Sequence, residues 1–347
     1  MKKLLGAFSI LLLLAFLIAC GGDSGTSKVT PPPANTVTDA FAFVTYTPTP
    51  GTVALARHSE VKGEHRNQQH SHFRAKGGLK PWDADIDPGP TSVMLMKNDG
   101  SGTTMVADQA GWFESVQLSL NGKKGSFTAE STSTSGTYLQ AYVADMTQAP
   151  NYTIVQLTSD AEYHYMAQVS PDNKQIVFTK YSPLIQEEQA YLINVTGGQE
   201  TAIPTPDTVD VVAPTFTADG KAIVFEDCNI DSINKINLDG TGMVVLNNAD
   251  GLYLDDLPSV SPDGSKIVFI QSNEQGDNVY IMDITGQNLK QLTVDGTAWD
   301  PMFVKDKIVF LSWKDNPMGE IYSMNYDGSS PTRLTNNSSY EWFMEWD

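Results

Sequence analysis

The feature that most restricts how this chain can fold is a turn segment that recurs at a nearly constant spacing. In residues 258–270 it reads Pro-Ser-Val-Ser-Pro-Asp-Gly-Ser-Lys-Ile-Val-Phe-Ile. Pro262 presets the φ angle of the first central turn residue, and Gly264 accepts the positive φ that reverses the chain. Because β-branched and aromatic residues flank the turn, the segment is predicted to form a β-hairpin.

Further copies of this hairpin follow one another along the chain. Residues 168–178 and 214–225 repeat it closely. Residues 301–310 are a shortened copy, and residues 117–127 are a degenerate one. The aspartates of four successive turns, which are 47, 44 and 43 residues apart, are Asp172, Asp219, Asp263 and Asp306. Repeats of about 40 to 50 residues are typical of β-propeller blades.

A blade needs four strands, labelled a to d outward from the axis, and each hairpin supplies strands a and b. Residues 277–293 and 320–335 supply strands c and d. Residues 40–46 and 92–107 resemble a blade that lacks its a strand, whereas residues 342–346 form an a strand with no blade after it. The predicted fold is therefore all-β. It is a six-bladed β-propeller of four-stranded antiparallel blades, in which the C-terminal strand completes the first blade.

The N-terminus resembles an export signal. Met1-Lys-Lys precedes an apolar stretch, residues 4–18, which is shorter than the about 20 residues of a membrane-spanning helix. Residues 17–20, Leu-Ile-Ala-Cys, are similar to the lipobox of bacterial lipoproteins, which implies cleavage before Cys20 and its lipidation. An ordinary cleaved signal is the alternative. The expected division of the chain is a signal peptide at 1–19, a lipidated cysteine with a flexible linker at 20–38, and the propeller at 39–347.

The repeat type Ser-Pro-Asp-Gly-x-x-Ile-x-Phe, followed by Ile-Tyr-x-Met-x-x-Asp-Gly and Leu-Thr, resembles that of the TolB family of periplasmic propellers. The resemblance covers residues 110–347 well and 39–107 weakly. It implies a binding or scaffold role with a protein partner of the cell envelope, because TolB itself works with peptidoglycan-associated lipoprotein. TolB carries an α/β domain ahead of its propeller, and we expect no counterpart between Cys20 and Phe41.

A second resemblance concerns location. By the precedent of bacterial lipoproteins, an Asp after the lipidated cysteine retains the protein at the inner membrane. Gly21 stands at that position here. The expected location is therefore the periplasmic side of the outer membrane, although a Gram-positive host would change this.

The charge balance excludes some classes of partner. The chain has 22 Lys and Arg against 41 Asp and Glu, a formal net charge of −19. Such a surface repels phosphates and anionic lipid head groups, so we expect no nucleic-acid partner and no membrane contact beyond the lipid anchor. Once Cys20 is lipidated, Cys228 has no disulfide partner, and we expect it to be a buried, inert thiol.

One face of the predicted propeller carries the candidate binding site. The b–c and d–a loops share this face, while the a–b and c–d turns lie on the other. Loops vary while strands hold them rigid, so this face is expected to bind the partner. Carboxylates there could also hold Ca²⁺, and solvated loop acids are the alternative. The candidate partner-binding residues are Asp160, Asp210, Asp255, Asp256, Asp300 and Glu341.

Four of the five histidines lie in a long insertion in the first blade, residues 47–90. Such spacing could bind a transition metal. The surrounding sequence is polar, however, and a solvated loop is the alternative. No other cofactor is expected. The candidate metal ligands are His58, His65, His70 and His72.

The sequence has no motif that pairs a nucleophile with a base, such as the Gly-x-Ser-x-Gly elbow of hydrolases. A non-enzymatic role is therefore expected. The alternative is a metal-dependent enzyme that acts on glycans, or a carbohydrate-binding propeller. Such an enzyme would need histidines on several blades, and only His164 lies outside the insertion. Trp299, Trp342 and Trp346 could stack on a sugar, although such residues more often belong to the core.

Overall fold

The fold is known from a computed structural model of the chain. The described residues belong to one compact unit, Thr36–Asp347. Among them, no helix has the length and apolar character that crossing a membrane requires. The signal peptide, the linker and the histidine insertion predicted from the sequence lie outside the described residues. The described residues are 39–46, 91–109, 113–133, 136–149, 151–182, 187–248, 254–273 and 275–343.

The described residues form six antiparallel sheets of four strands, and each sheet is one blade. Strands b to d of blade 1 are β1 (Ala40–Tyr46), β2 (Thr91–Lys97) and β3 (Thr104–Gln109). Strands a to d of blade 2 are β4 (Phe113–Leu118), β5 (Lys124–Ser133), β6 (Gly136–Asp145) and β7 (Thr153–Gln156), with a short 3₁₀ helix at Met146–Gln148. Those of blade 3 are β8 (Tyr163–Val169), β9 (Gln175–Ser182), β10 (Glu187–Asn194) and β11 (Thr201–Ala202).

The remaining blades follow in chain order. Blade 4 contains β12 (Val211–Phe216), β13 (Ala222–Asp227), β14 (Ser232–Asn237) and β15 (Val244–Asn248). Blade 5 contains β16 (Leu254–Val260), β17 (Lys266–Asn273), β18 (Gly276–Asp283) and β19 (Lys290–Gln291). Blade 6 contains β20 (Ala298–Val304), β21 (Lys307–Ser312), β22 (Glu320–Met324) and β23 (Thr332–Arg333). The a strand of blade 1 is β24 (Tyr340–Trp342). The predicted all-β, six-bladed propeller is confirmed.

The C-terminal strand closes the ring by completing blade 1, as predicted. In β24, Tyr340 and Trp342 lie opposite Tyr46 and Val44 of β1. The strand begins two residues before the predicted range of 342–346. The first residue of β24 is set by its pairing register with β1, and this register cannot be read from the hydrophobic pattern of the sequence.

Phe343, which follows β24, connects blade 1 to both of its neighbours. Its N–H donates to Oδ2 of Asp300 in blade 6 across 3.2 Å. Its carbonyl oxygen accepts a hydrogen bond from the N–H of Val116 in blade 2 at 2.8 Å. The indole Nε1 of Trp342 donates to the carbonyl of Phe113, also in blade 2, at 3.2 Å. The closing segment is therefore hydrogen-bonded to blade 6 on one side and to blade 2 on the other.

The b strands carry much of the core. The Ile-Val-Phe runs at 176–178, 223–225 and 267–269 show 0% exposure at every position. Successive side chains of a strand point to opposite faces of the sheet. Burial of all three residues therefore means that both faces of each b strand are covered.

The innermost strands contain a feature that the hydrophobic pattern does not reveal. In four of them a residue with positive φ lies where the pairing with strand b shifts register, as a β-bulge does. These residues are Met166 (55°), Ala213 (47°), Leu257 (51°) and Asp300 (48°). Because a bulge re-aims a side chain, the acidic member of this set can direct its carboxylate to the closing segment.

Candidate functional site

The acidic residues predicted to form a partner-binding face divide into exposed and buried members. The face that carries the b–c and d–a connections is called the loop face. Asp160 and Asp210 lie in d–a connections of this face, and the side chain of Asp160 is 42% exposed. The buried members, with exposures of 1, 8, 0 and 2%, are Asp255 and Asp256 in β16, Asp300 in β20 and Glu341 in β24. The expectation that the buried aspartates lie in solvated loops is wrong, and none of the four can contact a docking protein directly.

Asp255 is a buried carboxyl group held by two amides. Gln271 Nε2 donates to its Oδ1 at 2.8 Å, and Asn247 Nδ2 donates to its Oδ2 at 2.5 Å. Burial raises the pKa of Asp255 to about 7, and the nearby carboxylates of Asp231 and Asp256 act in the same direction. The group therefore gains or loses its proton near neutral pH.

Glu341 fastens the closing strand to the segment that leads out of blade 6. Thr335 Oγ1 donates to its Oε2 at 2.6 Å, and Asn337 Nδ2 donates to its Oε1 at 2.7 Å. Burial raises the pKa of Glu341 to about 7. The neighbouring Glu320 is fully buried and pairs with Arg333, whose Nη2 lies 2.5 Å from Oε1. These acids stabilise the ring closure from inside the protein.

A cluster of ionisable groups lies in blade 3 and in the connection that leads to it from blade 2. His164 in β8 is fully buried, and its Nε2 lies 3.2 Å from Oε1 of Glu200 and 3.5 Å from Oδ1 of Asp160. Lys180 in β9 lies opposite His164 in the sheet. Its Nζ lies 2.7 Å from a carboxylate oxygen of each of three acids, Asp160, Glu162 and Glu200. These five residues are called the His164 cluster.

The hydrogen bonds within the His164 cluster favour the charged forms of Lys180 and Glu200. Burial lowers the pKa of Lys180, but the hydrogen bonds that its ammonium group donates to the three carboxylates outweigh this effect and raise the pKa overall. Burial raises the pKa of Glu200, but hydrogen bonds from His164 and Lys180 lower it overall. At neutral pH the lysine is therefore an ammonium ion, and Glu200 is a carboxylate.

The His164 cluster contains ligand types that suit a transition metal. Asp160, His164 and Glu200 each offer one ligand atom, and these atoms lie within 4.8 Å of one another. The Nζ of Lys180 contacts the same two carboxylates. A metal ion bound there would have to displace the ammonium group, so the cation that this arrangement suits best is the lysine itself.

Three tyrosine rings lie in a row that joins blades 2 and 3. The ring centroids of Tyr138 and Tyr163 are 5.2 Å apart, and those of Tyr163 and Tyr181 are 6.4 Å apart. All three side chains are partly exposed. Burial raises the pKa of Tyr163, and the nearby Tyr138, Tyr181 and Glu130 raise it further. This tyrosine row borders the loop face, because each residue lies at the end of its strand that leads into a b–c or d–a connection.

The other candidate residues from the sequence analysis lie outside the His164 cluster. Trp299 and Trp342 are 6% and 1% exposed, so their rings belong to the core and cannot stack on a sugar. Cys228 is partly exposed rather than buried, and its thiol donates to Oε1 of Glu226 at 3.2 Å. The predicted residues that lie outside the described part of the chain are Cys20, His58, His65, His70, His72 and Trp346.

Sequence reasoning named Asp160 and His164 separately and missed the residues that join them. Lys180 could have been found, because it follows the Ile-Val-Phe run of its hairpin by two residues and lies opposite His164. The tyrosine row could not, because it combines residues from two blades. Only the packing of one blade on the next brings Tyr138 to Tyr163.

Comparison with known proteins identifies relatives of this fold. The family profile described as the TolB beta propeller domain matches residues 88–303. Among solved structures, a putative TolB from Agrobacterium tumefaciens has a TM-score of 0.58 and 18% identity, and the similarity covers 71% of this chain and 88% of that one. TolB from Acinetobacter baumannii has a TM-score of 0.63 and 18% identity, with 87% of this chain and 66% of that one covered.

A third solved structure is less similar to this chain than these two. A chain of a nidogen/laminin complex has a TM-score of 0.50 and 14% identity, with 61% of this chain and 78% of that one covered. At such identities the similarities to solved structures show the fold alone. No curated protein matches the sequence.

Proposed function

Since the chain belongs to the TolB beta propeller domain family, we propose that it is a non-enzymatic interaction module whose loop face binds another protein. The observation that carries the proposal is the contrast between the buried blade strands and the exposed acids of the d–a connections. Rigid strands that present loops are a common arrangement for binding. The exposed acids of these connections include Asp160, Asp207 and Asp295.

The charge of the protein indicates the kind of partner. A formal net charge of −19 attracts a basic surface over a distance and repels anionic ones. The resemblance to TolB favours a partner in the cell envelope. The proposed function is therefore a scaffold that captures an envelope protein with a basic patch.

Affinity capture from envelope extract tests this proposal. The loop-face variant Asp207→Lys/Asp295→Lys reverses two exposed charges, and the control Asp172→Lys/Asp306→Lys reverses two on the opposite face. We expect the wild type and the control to retain the partner, and the loop-face variant to lose about tenfold or more in affinity. Equal capture by all three proteins, with equal thermal stability, would assign the partner to another surface.

A separate proposal, argued from the sequence, concerns the location of the protein. We propose that Cys20 is lipidated after export and anchors the propeller on the periplasmic side of the outer membrane. The wild type should then fractionate with membranes and take up labelled fatty acid, whereas Cys20→Ser should be found in the soluble fraction. A serine variant that stays in the membrane fraction would show that another feature anchors the protein.

A second candidate function is a metal-dependent enzyme that acts on glycans. The observation that favours it is the arrangement of Asp160, His164 and Glu200. Metal analysis of the purified protein separates the two candidates. A stoichiometric metal that is lost in His164→Ala would favour the enzyme, whereas a metal-free protein that captures its partner would favour the interaction module.

A further inference from the structure

The closing strand β24 belongs to blade 1 without a direct chain connection to it. It pairs with β1, and Glu341, its middle residue, lies opposite Thr45. In sequence the strand follows blade 6, and the segment that joins it to that blade contains Thr335 and Asn337. Closure of the ring therefore depends on the noncovalent contacts of a short strand, and the carboxyl group of Glu341 makes some of them.

A second carboxyl group lies near that of Glu341. Glu320, the first residue of β22, is buried as Glu341 is. Asn337 contacts both of them, because its backbone N–H donates to Oε1 of Glu320 at 3.4 Å and its Nδ2 donates to Oε1 of Glu341 at 2.7 Å. Two acids, one from blade 6 and one from the closing strand, therefore share a hydrogen-bonding residue inside the protein.

The positive charge at this site pairs with only one of the two acids. Arg333 Nη2 lies 2.5 Å from Oε1 of Glu320. The other oxygen of Glu320, Oε2, is buried and accepts no hydrogen bond among the described residues. Glu341 is held by the neutral groups of Thr335 and Asn337, and within the described part of the chain no salt bridge reaches it. Ionisation of Glu341 therefore adds a second buried negative charge that has no cation of its own.

The strands around Glu341 contribute no further cation. β1 and β22 pack against β24, while β4 and β20 are hydrogen-bonded to the closing segment. Burial raises the pKa of Glu341 to about 7, and the negative charge of Glu320 acts in the same direction. Glu341 is therefore protonated in the docked strand at mildly acidic pH. The remaining ionisable residues of these strands are all acidic or phenolic, namely Tyr46 of β1, Glu114 of β4, Asp300 of β20, Tyr322 of β22 and Tyr340 of β24 itself.

We propose that Glu320 and Glu341 form a pH-sensitive latch, which holds β24 in the ring while Glu341 is protonated and loosens it when the proton is lost. Burying two ionised carboxyl groups beside one guanidinium costs both desolvation and repulsion. When the strand detaches, Glu341 reaches water and its pKa returns to about 4.3. The stabilisation is therefore complete below about pH 4 and is lost as the pH rises through about 7. This inference goes beyond the proposed function, because it concerns closure of the ring and not binding by the loop face.

Hydrogen exchange of the purified protein at several pH values tests the latch. Two amides report whether the closing segment is in place: the N–H of Phe343, which donates to Asp300, and that of Val116, which donates to the carbonyl of Phe343. After correction for the intrinsic exchange rate, their protection should fall about tenfold or more between about pH 5 and pH 7. The amides of β13 in blade 4 serve as the internal reference. Unchanged protection, or an equal fall in β13, overturns the proposal.

Three variants assign the effect to the latch. Glu341→Gln imitates the protonated form and should remove the pH dependence at Phe343 and Val116. Glu320→Gln removes the neighbouring charge and should reduce the fall in protection without abolishing it, because burial is the larger cause of the raised pKa of Glu341. The control Asp255→Asn neutralises a carboxyl group of similar burial in blade 5 and should leave the fall as it is in the wild type. A fall in Glu341→Gln equal to that of the wild type overturns the proposal. If that variant does not fold, a fall that Glu320→Gln leaves unchanged overturns it as well.

Discussion

The carboxylate of Asp300 accepts a hydrogen bond from the N–H of Phe343, while its own backbone holds a positive φ of 48°. Asp300→Ala would leave this buried donor without its acceptor, at a cost of about 1–3 kcal/mol, and would place alanine in a conformation that costs it about 1–2 kcal/mol. Asp300→Asn keeps an acceptor and tolerates the φ, so we expect a loss of about 1 kcal/mol. Urea unfolding measures both, and equal losses would contradict the role assigned to the carboxylate.

Asp255 makes stability depend on pH in a direction opposite to that of most carboxyl groups. Its pKa is raised to about 7 in the folded protein from about 3.9 in the unfolded chain. The stability from its proton is complete below about pH 4 and is lost as the pH rises to about 7. Asp255→Asn imitates the protonated form, so the free energy of unfolding of the wild type should fall relative to that of the variant across this range.

Urea unfolding at several pH values measures this difference. The control is Asp239→Asn, because hydrogen bonds from Thr241 lower the pKa of Asp239, so the stability of the wild type should not fall relative to this variant between about pH 4 and pH 7. A wild-type minus Asp255→Asn difference that stays constant between about pH 4 and pH 7 would show that the carboxyl group is ionised in the fold.

At the scale of single elements, the a–b turns of adjacent blades approach one another closely. Gly264 has a φ of 73°, and a Cβ atom there would lie 3.1 Å from the Cβ of Ala218 in the turn of blade 4. Gly197 has a similar φ of 79° with nothing within 4 Å. Gly197→Ala should therefore cost only the backbone strain, about 1–2 kcal/mol, and Gly264→Ala should cost more. Equal losses in thermal unfolding would mean that the turns adjust without cost.

The hairpins were predictable, whereas the bulges inside them were not. Pro262 and Gly264 determine the turn chemistry directly, and Asn173 takes the place of the glycine in blade 3 with a φ of 61°. Met166 and Leu257 also have positive φ, but neither residue type favours it. Their conformation is imposed by the packing of strand a at the centre of the ring, which local sequence does not contain.

At the scale of the whole molecule, the number of blades followed from counting strands. An opening blade without strand a and a closing strand without a blade leave one arrangement with no unpaired edge. The candidate site was harder to predict from the sequence, because the burial of each acidic residue depends on how the blades pack in the assembled ring. Asp255 and Asp160 look alike in the sequence, yet one is 1% and the other 42% exposed.

Trp342 connects the closing strand to blade 2 and should decide whether the ring opens. Its side chain is 1% exposed and donates to the carbonyl of Phe113. Trp342→Ala should cost about 3–5 kcal/mol, whereas Trp342→Phe, which keeps most of the ring volume and loses the donor, should cost about 1–3 kcal/mol. In native-state hydrogen exchange, the alanine variant should lose protection first in β1, which pairs with β24, and in β4, whose Phe113 carbonyl accepts from Trp342.

The control for this prediction is Trp313→Ala, which removes a tryptophan of similar burial, 6% exposed, that follows strand b of blade 6. Its global loss should be comparable, because the lost ring volume is the same. Its loss of protection should not concentrate in β1 and β4, because Trp313 follows strand b of blade 6 and its backbone N–H donates to the carbonyl of Thr297, just before β20, at 3.1 Å. If Trp342→Ala loses protection evenly around the six blades, the ring unfolds as one cooperative unit and closure is not its weakest point.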